Sequence, residues 1–280
     1  MTFRRDASWS GVPIKVPCGQ CVGCRLEKSR QWAMRCMHEK KLHNNNCFIT
    51  LTYDNDHLPP GGTLVKRDLQ LFMKRLRKER GAGVRFYACG EYGDFNARPH
   101  YHAILFNCDF FDRRLFSRGA GAKHPVFTSV GLSELWTAGL SVVGDVTFES
   151  AAYVARYVMK KITGSKAADH YAVVDGDGVV TDRLPEFTVM SRRPGIGFEW
   201  FRRYGVESYA HDSVIVNGRP VRPPRYYDTK YELTDAEHLA YWKVVRRRRA
   251  MKMRADNTPD RRRVKEVLQI KLLKMKERLL

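Results

Sequence analysis

No stretch of the 280-residue chain stays apolar for the roughly 18 residues that a membrane-spanning helix needs. The opening, MTFRRDASWS, has no apolar core of the kind that marks a signal peptide. These absences argue against an embedded or exported protein, and the expectation is a soluble intracellular one. No G-x-x-x-x-G-K-[ST] loop occurs, so there is no Walker-type cradle for a nucleoside triphosphate. No segment repeats, which excludes a solenoid or propeller. Acid is scarce: 30 Asp and Glu face 50 Lys and Arg, a formal charge of +20. That imbalance points to a polyanionic partner, nucleic acid first, with a membrane surface as the competing reading. The seven cysteines are an odd number. In an intracellular setting they read as thiols or metal ligands, and a chain of this length needs no disulfide staples.

What is present sorts into elements by periodicity. An irregular arm over 1–17 leads to cysteines 18, 21 and 24 and a helical pattern from about Leu26 to Leu42. CFITLTYD (47–54) is β-branched and aromatic and predicts a strand. VKRDLQLFMKRLRKER (65–80) predicts an amphipathic helix with Leu69, Phe72, Met73 and Leu76 on one side. VRFYACGEYG and RPHYHAILFN predict two strands, joined through Gly93 and Asn96 as an antiparallel hairpin. Residues 109–131 read as loop. LSELWTAG predicts a short helix ending near Gly139, LSVVGDVTF a fourth strand, and ESAAYVARYVMKKI (149–162) a helix. The order implies an α+β fold, a small sheet with helices packed on it. The boundaries are an arm and helix over 1–43, a core over 44–165, a loop and hairpin extension over 166–231, and a basic helical tail over 232–280. In the extension, VVDGDGVV predicts a small hairpin, GFEWFRRYG a short helix, and DSVIVNGRPVRPPRYYD a hairpin turning at Asn217-Gly218. Over 241–280 there are 15 Lys or Arg and 4 Asp or Glu, so this stretch carries +11 of the total.

Two constellations carry chemistry. His100 and His102 alternate along one strand and therefore project from the same face. Such imidazoles can share a metal ion; the plain alternative is two half-buried histidines bonded within a sheet. Glu91 closes the preceding strand. It joins their face only in one register, and a slip of one residue sends it to the other side. Two imidazoles and a carboxylate with open positions suit Mg²⁺ or Mn²⁺ on phosphate oxygens better than a closed zinc site. In YVARYVMKK, Tyr153 and Tyr157 stand four apart on one helix face, followed at three residues by Arg156 and Lys160. Packing aromatics flanked by solvated cations explain that pattern equally simply. A tyrosine hydroxyl can also attack phosphorus. Exchanging a phosphodiester for a tyrosyl phosphodiester conserves bond energy, in keeping with the missing nucleotide loop.

Together these residues resemble the H-U-H endonucleases, and among them the rolling-circle replication initiators of small single-stranded DNA phages, the gokushovirus-like Microviridae. FITLTYD is similar to the family's first motif, CGEYG…RPHYHAILF to the second with His100 and His102 as the pair, and YVARYVMKK to the two-tyrosine form of the third. PCGQCVGCR, SRRPGIG and PPRYYD also resemble the phage branch, so the likeness covers about 16–230. The resemblance implies a central antiparallel sheet of about five strands. It implies nicking of one strand of the replicative form at its origin, a 5′-phosphotyrosyl link, a 3′ hydroxyl primer and rejoining of the displaced strand. The setting is the host bacterial cytoplasm, with origin DNA as substrate and the host helicase and DNA polymerase as partners. Tyr157-x-x-Lys160 fits the family spacing better than Tyr153-x-x-Arg156, so Tyr157 is the expected first nucleophile.

The remaining signals are weaker. Arg98, Lys161, Arg192, Arg193, Arg225 and the run Arg246, Arg247, Arg248 and Arg249 are expected on DNA; solvated loops and a solvated helix face are the alternative. Cys18, Cys21 and Cys24 form a ladder one ligand short of a closed structural zinc site, with Cys36, His38 or Cys47 as the candidate fourth. Three other functions stand beside the leading one: a plasmid initiator, a relaxase or transposase of the same superfamily, and a non-catalytic nucleic-acid-binding module. A 2H phosphoesterase would need two H-x-T or H-x-S elements and is set aside.

Overall fold

Alternation decides the centre of the molecule. The structure, a computed structural model, describes residues 17–93, 96–117, 125–157, 161–162, 164, 167–174 and 178–277. Along these, α1 (Val22–Lys40) leads to β1 (Asn46–Thr52), α2 (Lys66–Arg80) and the hairpin of β2 (Arg85–Tyr92) and β3 (Pro99–Phe106). β4 (Arg114–Ser117), β5 (Val126–Thr128), α3 (Val130–Leu135), β6 (Ser141–Gly144) and α4 (Phe148–Tyr157) follow. Next come α5 (Ala167–Tyr171), β7 (Ala172–Val174), β8 (Val180–Asp182), β9 (Phe187–Met190), α6 (Phe198–Ala210), β10 (Val214–Val216) and β11 (Arg219–Val221). α7 (Arg225–Tyr231), α8 (Ala236–Lys252) and α9 (Pro259–Glu277) complete the described chain. Seven strands form one antiparallel sheet in the order β4-β5-β6-β1-β3-β2-β9, the α+β architecture expected, with seven strands in place of about five.

The extra strands are short. β4 and β5 arise inside the stretch read as loop, and β9 comes from beyond residue 165 to pair with β2. Three or four residues carry too little periodicity to announce a strand, and these are held by their sheet neighbours. α1 begins at Val22, earlier than Leu26, and takes Cys24 into its first turn. α3 stops at Leu135, short of Gly139, because Trp136 leaves the helix to bury its ring and donate from Nε1 to the Thr52 carbonyl at 3.2 Å. The two small hairpins form as expected, and Asn217 and Gly218 both take positive φ, +50° and +74°, at the β10–β11 turn. The arm over 1–16 and the stretch Val158–Lys160 of the 149–162 helix lie outside the described residues.

The central strands β1, β3 and β2 present two faces. On one, Ile49, Leu51, Tyr101, Ala103, Leu105 and Ala88 pack against Leu69, Phe72, Met73 and Leu76 of α2 and against α3. The four residues of α2 are the stripe its sequence predicts, and Gly81 caps the helix at φ +91°. On the other face, Tyr87, Cys89, Ile104 and Phe106 pack against α1 and α4. A separate cluster, with Met34, Trp200, Phe201, Tyr209, Tyr227, Tyr231 and Leu239, ties α6, α7 and α8 to the far side of α1.

Candidate metal and tyrosine site

β3 lies between β1 and β2, and the register answers what the sequence left open. Glu91 stands opposite His100 and Cys89 opposite His102, while β1 sets Thr52 and Thr50 opposite the same two histidines. Residues paired across an antiparallel ladder share a face, so Glu91, His100, His102 and Thr50 converge. Their end of the sheet is the hairpin end, where Gly93 N–H donates to the Arg98 carbonyl at 3.0 Å.

His102 is buried and held at both ring nitrogens: Nε2 lies 2.7 Å from Glu91 Oε1, and Nδ1 lies 2.9 Å from Thr50 Oγ1. Phe48 stacks on the ring at 5.6 Å between centroids. Glu91 is only 2% exposed, and a carboxylate so far from water needs a partner such as His102. The His100 and His102 rings are 5.9 Å apart. A Cβ at Gly93 would come within 2.8 Å of His100 Nε2, so the glycine keeps space at that nitrogen. Thr50 and Gly93 have no place in the sequence-based site. The signal for Thr50 is the alternation in FITLTYD: it faces away from Ile49 and Leu51, which becomes informative only once β1 is known to lie beside β3.

α4 covers this face. Tyr153 sets its ring edge-on to His102, with centroids 5.3 Å apart, and the Arg156 guanidinium lies 5.9 Å from the centre of the Tyr153 ring. Tyr157 follows one helical turn on. The Tyr157 side chain and the whole of Lys160 lie outside the described residues; Lys161 is exposed. Small buried residues of α4, Ala151, Ala152 and Ala155, let α1 approach closely. Ser29 Oγ donates to the Ala152 carbonyl at 2.8 Å, and Lys40 Nζ to the Val146 carbonyl at 2.6 Å. The two helices therefore run antiparallel, and the start of α1 lies toward Tyr153 and Tyr157.

The arginines disperse. Arg98 donates to the Tyr53 carbonyl at 2.8 Å and ties the start of β3 to the end of β1. Arg192 and Arg193 are exposed but follow β9 at the Tyr87 end of β2, away from Glu91. Arg225 is exposed at the start of α7, beside α1, where its N–H meets Gln31 Oε1 at 3.1 Å. Arg247, Arg248 and Arg249 are exposed on α8. Arg246 corrects the expectation for the run: it turns inward, ion-paired to both Asp212 and Asp228, with its side chain 11% exposed. Burial opposes its charge, but the hydrogen bonds of the two carboxylates outweigh that and raise its pKa.

Cys18, Cys21 and Cys24 bring their sulfurs within 4.8 Å of one another, and they are the only such trio of ligand atoms among the described residues. The expected fourth ligand does not join them. Cys36 is buried between α1 and the sheet, Cys47 lies in the core on the α2 side, and His38 stacks on Trp200 and bonds the Tyr227 hydroxyl. No helix among the described residues is long and apolar enough to cross a membrane.

With the geometry in hand, comparison with known proteins places the chain among replication-associated proteins: the family model for the replication-associated protein ORF2 group matches residues 46–162. Those residues run from the start of β1 through α4 and so contain both constellations. Replication-associated protein VP4 of Bdellovibrio phage phiMH2K is 34% identical over 231 residues, covering 79% of this chain and 69% of the relative. Replication-associated protein ORF2 of Spiroplasma virus 4 is 34% identical over 251 residues, covering 84% and 74%. Replication-associated protein ORF4 of Chlamydia phage 1 is 29% identical over 245 residues, covering 83% and 58%. The chain belongs to this family of phage replication-associated proteins, as its resemblance to the Microviridae implied. No solved structure matches it.

Proposed function

We propose that the protein is a nicking and joining endonuclease that starts rolling-circle replication at the origin of a circular phage DNA. The observation that carries this reading is the ring of Tyr153 seated on His102, itself bonded to Glu91: a phenol-bearing helix lies directly over two imidazoles and a carboxylate. A tyrosine oxygen attacks the phosphorus, the bond to the neighbouring O3′ breaks, and the phenolic proton passes to solvent. The products are a 5′-phosphotyrosyl link and a 3′ hydroxyl. Reversal by an incoming 3′ hydroxyl rejoins the strand, so bonds balance without a nucleotide cofactor.

His100, His102 and Glu91 are the residues that would hold Mg²⁺ or Mn²⁺. Their fit rests on the mixed donor set and on the space that Gly93 keeps at His100 Nε2. When bound, such an ion supplies positive charge that polarises the scissile phosphate. Thr50 and Glu91 fix the orientation of the His102 ring. Arg156 sets a cation beside Tyr153, where negative charge gathers as the phenol approaches the phosphate. The exposed arginines supply affinity for the DNA backbone rather than sequence reading. The protein then acts in the host cytoplasm, with the host helicase and DNA polymerase extending the primer. Phage relatives favour this setting over a plasmid initiator, relaxase or transposase.

The test is adduct formation and circle closure on a single-stranded origin with Mn²⁺, for the wild type, Tyr153→Phe, Tyr157→Phe and the double variant. Phenylalanine keeps the ring and its packing. Tyr157→Phe is expected to slow the first nick most, and Tyr153→Phe to nick but fail in the second transfer. The double variant is expected to form no adduct by mass analysis; full adduct yield from it sinks the nucleophile assignment.

A further inference from the structure

Three cysteines stand outside the chemistry proposed above. We propose that Cys18, Cys21 and Cys24 bind a zinc ion that clamps the entry of α1. Tetrahedral zinc with Zn–S near 2.3 Å requires sulfurs about 3.8 Å apart. Cys18 Sγ and Cys24 Sγ are 3.8 Å apart, and all three sulfurs fall within 4.8 Å of one another. The backbone is shaped for the cluster. Gly19 takes φ +75°, a left-handed turn that brings Cys18 back toward Cys21, and the Cys21 N–H donates to Cys18 Sγ at 3.3 Å. An amide aimed at sulfur is how a metal-bound thiolate is commonly supported. Cys24 is held by the first turn of α1, so two ligands come from the turn and one from the helix.

Binding releases three thiol protons to solvent and leaves three thiolates around Zn²⁺, a site of net charge −1 with one tetrahedral position for water. Its role follows from where α1 leads. That helix runs antiparallel to α4 and is bonded to it through Ser29, and its cysteine-bearing end lies toward Tyr153 and Tyr157. Fixing this end fixes the support behind the tyrosine helix.

The experiment is zinc content by elemental mass spectrometry on the full chain, expressed with zinc and purified without chelator, followed by exchange for Co²⁺ and its absorption spectrum. About one zinc per chain is expected in the wild type, in Cys36→Ser, and in a His100→Ala, His102→Gln variant that disables the other site. Cys18→Ser and Cys24→Ser are expected to lose it. The cobalt protein is expected to show thiolate-to-metal charge transfer and tetrahedral ligand-field bands, a readout that needs no variant to fold. Wild-type protein with no more zinc than the cysteine variants overturns the proposal. So does zinc lost with the histidines but kept without the cysteines, or iron with labile sulfide in place of zinc. None of these readouts depends on whether the protein nicks DNA.

Discussion

Two buried polar clusters of this molecule contain the same kinds of side chain and do different things. On the sheet, His102, Glu91 and Thr50 meet beneath Tyr153. Around α6, α7 and α8, His38 lies between Trp200 and Tyr227, while Tyr209, Asp228, Asp212 and Arg246 form a bonded network. The second cluster closes on itself: Arg246 spans two carboxylates, Asp228 accepts from Tyr209 at 2.6 Å, and its surroundings are aromatic. The first sits at the hairpin end of the sheet, beside a glycine that keeps room at an imidazole nitrogen. Burial of histidine and acid does not by itself mark a site. A donor set that ends in usable space, under a helix carrying a nucleophile, is what separates the two.

That contrast can be broken in order of expected effect. A His100→Ala, His102→Gln variant keeps a hydrogen-bond donor for Glu91 and removes both imidazoles. Cleavage is expected to fall to background while DNA affinity and thermal stability largely survive; undiminished nicking in chelator-treated buffer would refute the role of the pair. Arg246→Met leaves Asp212 and Asp228 facing each other without their cation. It is expected to cost about 3–5 kcal/mol of stability, as breaking buried pairs does, with the chemistry of the remaining folded fraction intact; denaturant unfolding measures it. Thr50→Val keeps shape but lets the His102 ring turn, and a loss of about 10–100-fold in activity or metal affinity is expected. An unchanged rate there would mean Glu91 alone positions the ring.

Two smaller effects sharpen the comparison. Replacing Arg247, Arg248 and Arg249 by Gln is expected to leave stability unchanged and to flatten the slope of log affinity against log salt by about three, one per lost phosphate contact. An unmoved slope would take that face of α8 off the DNA. Burial pushes His38 down to about 3, so the folded state resists a proton that the unfolded chain accepts near pH 6.5. Stability from this group is complete above that pH and is lost as pH falls toward 3, by at most about 1.4 kcal/mol per unit. His38→Phe should be less stable at neutral pH yet show a shallower decline in acid. An identical slope would assign the acid sensitivity to carboxylates such as Asp228, whose pKa burial alone would raise but which Arg246 and Tyr209 hold low.

Much of the site was readable because its residues repeat at the period of their element. The histidines alternate on β3, the tyrosines stand one turn apart on α4, and the apolar stripe of α2 is complete. What escaped depends on partners distant in the chain. The carboxylate of Glu91 needed the hairpin register, and Thr50 needed to be known as a neighbour of β3. β9 has four residues and takes its identity from β2. Nothing within RRRR distinguishes Arg246 from the three that follow, yet Leu239, Trp242 and Arg246 fall at helical spacing, and that stripe is the inward one.

The position of Tyr157 along α4 has an electrical consequence. Lys161 and Ile162 are no longer helical, so Tyr157 stands in the last part of that helix. The peptide dipoles of a helix leave about half a negative charge at its carboxyl end. A phosphate that reaches these tyrosines therefore approaches the end that repels it, the reverse of the usual phosphate cradle at a helix amino end. Whatever holds the DNA backbone there must come from side-chain cations and bound metal rather than from the main chain. Grip on the scissile phosphate then becomes adjustable one residue at a time, and sensitive to salt in a way a backbone cradle is not.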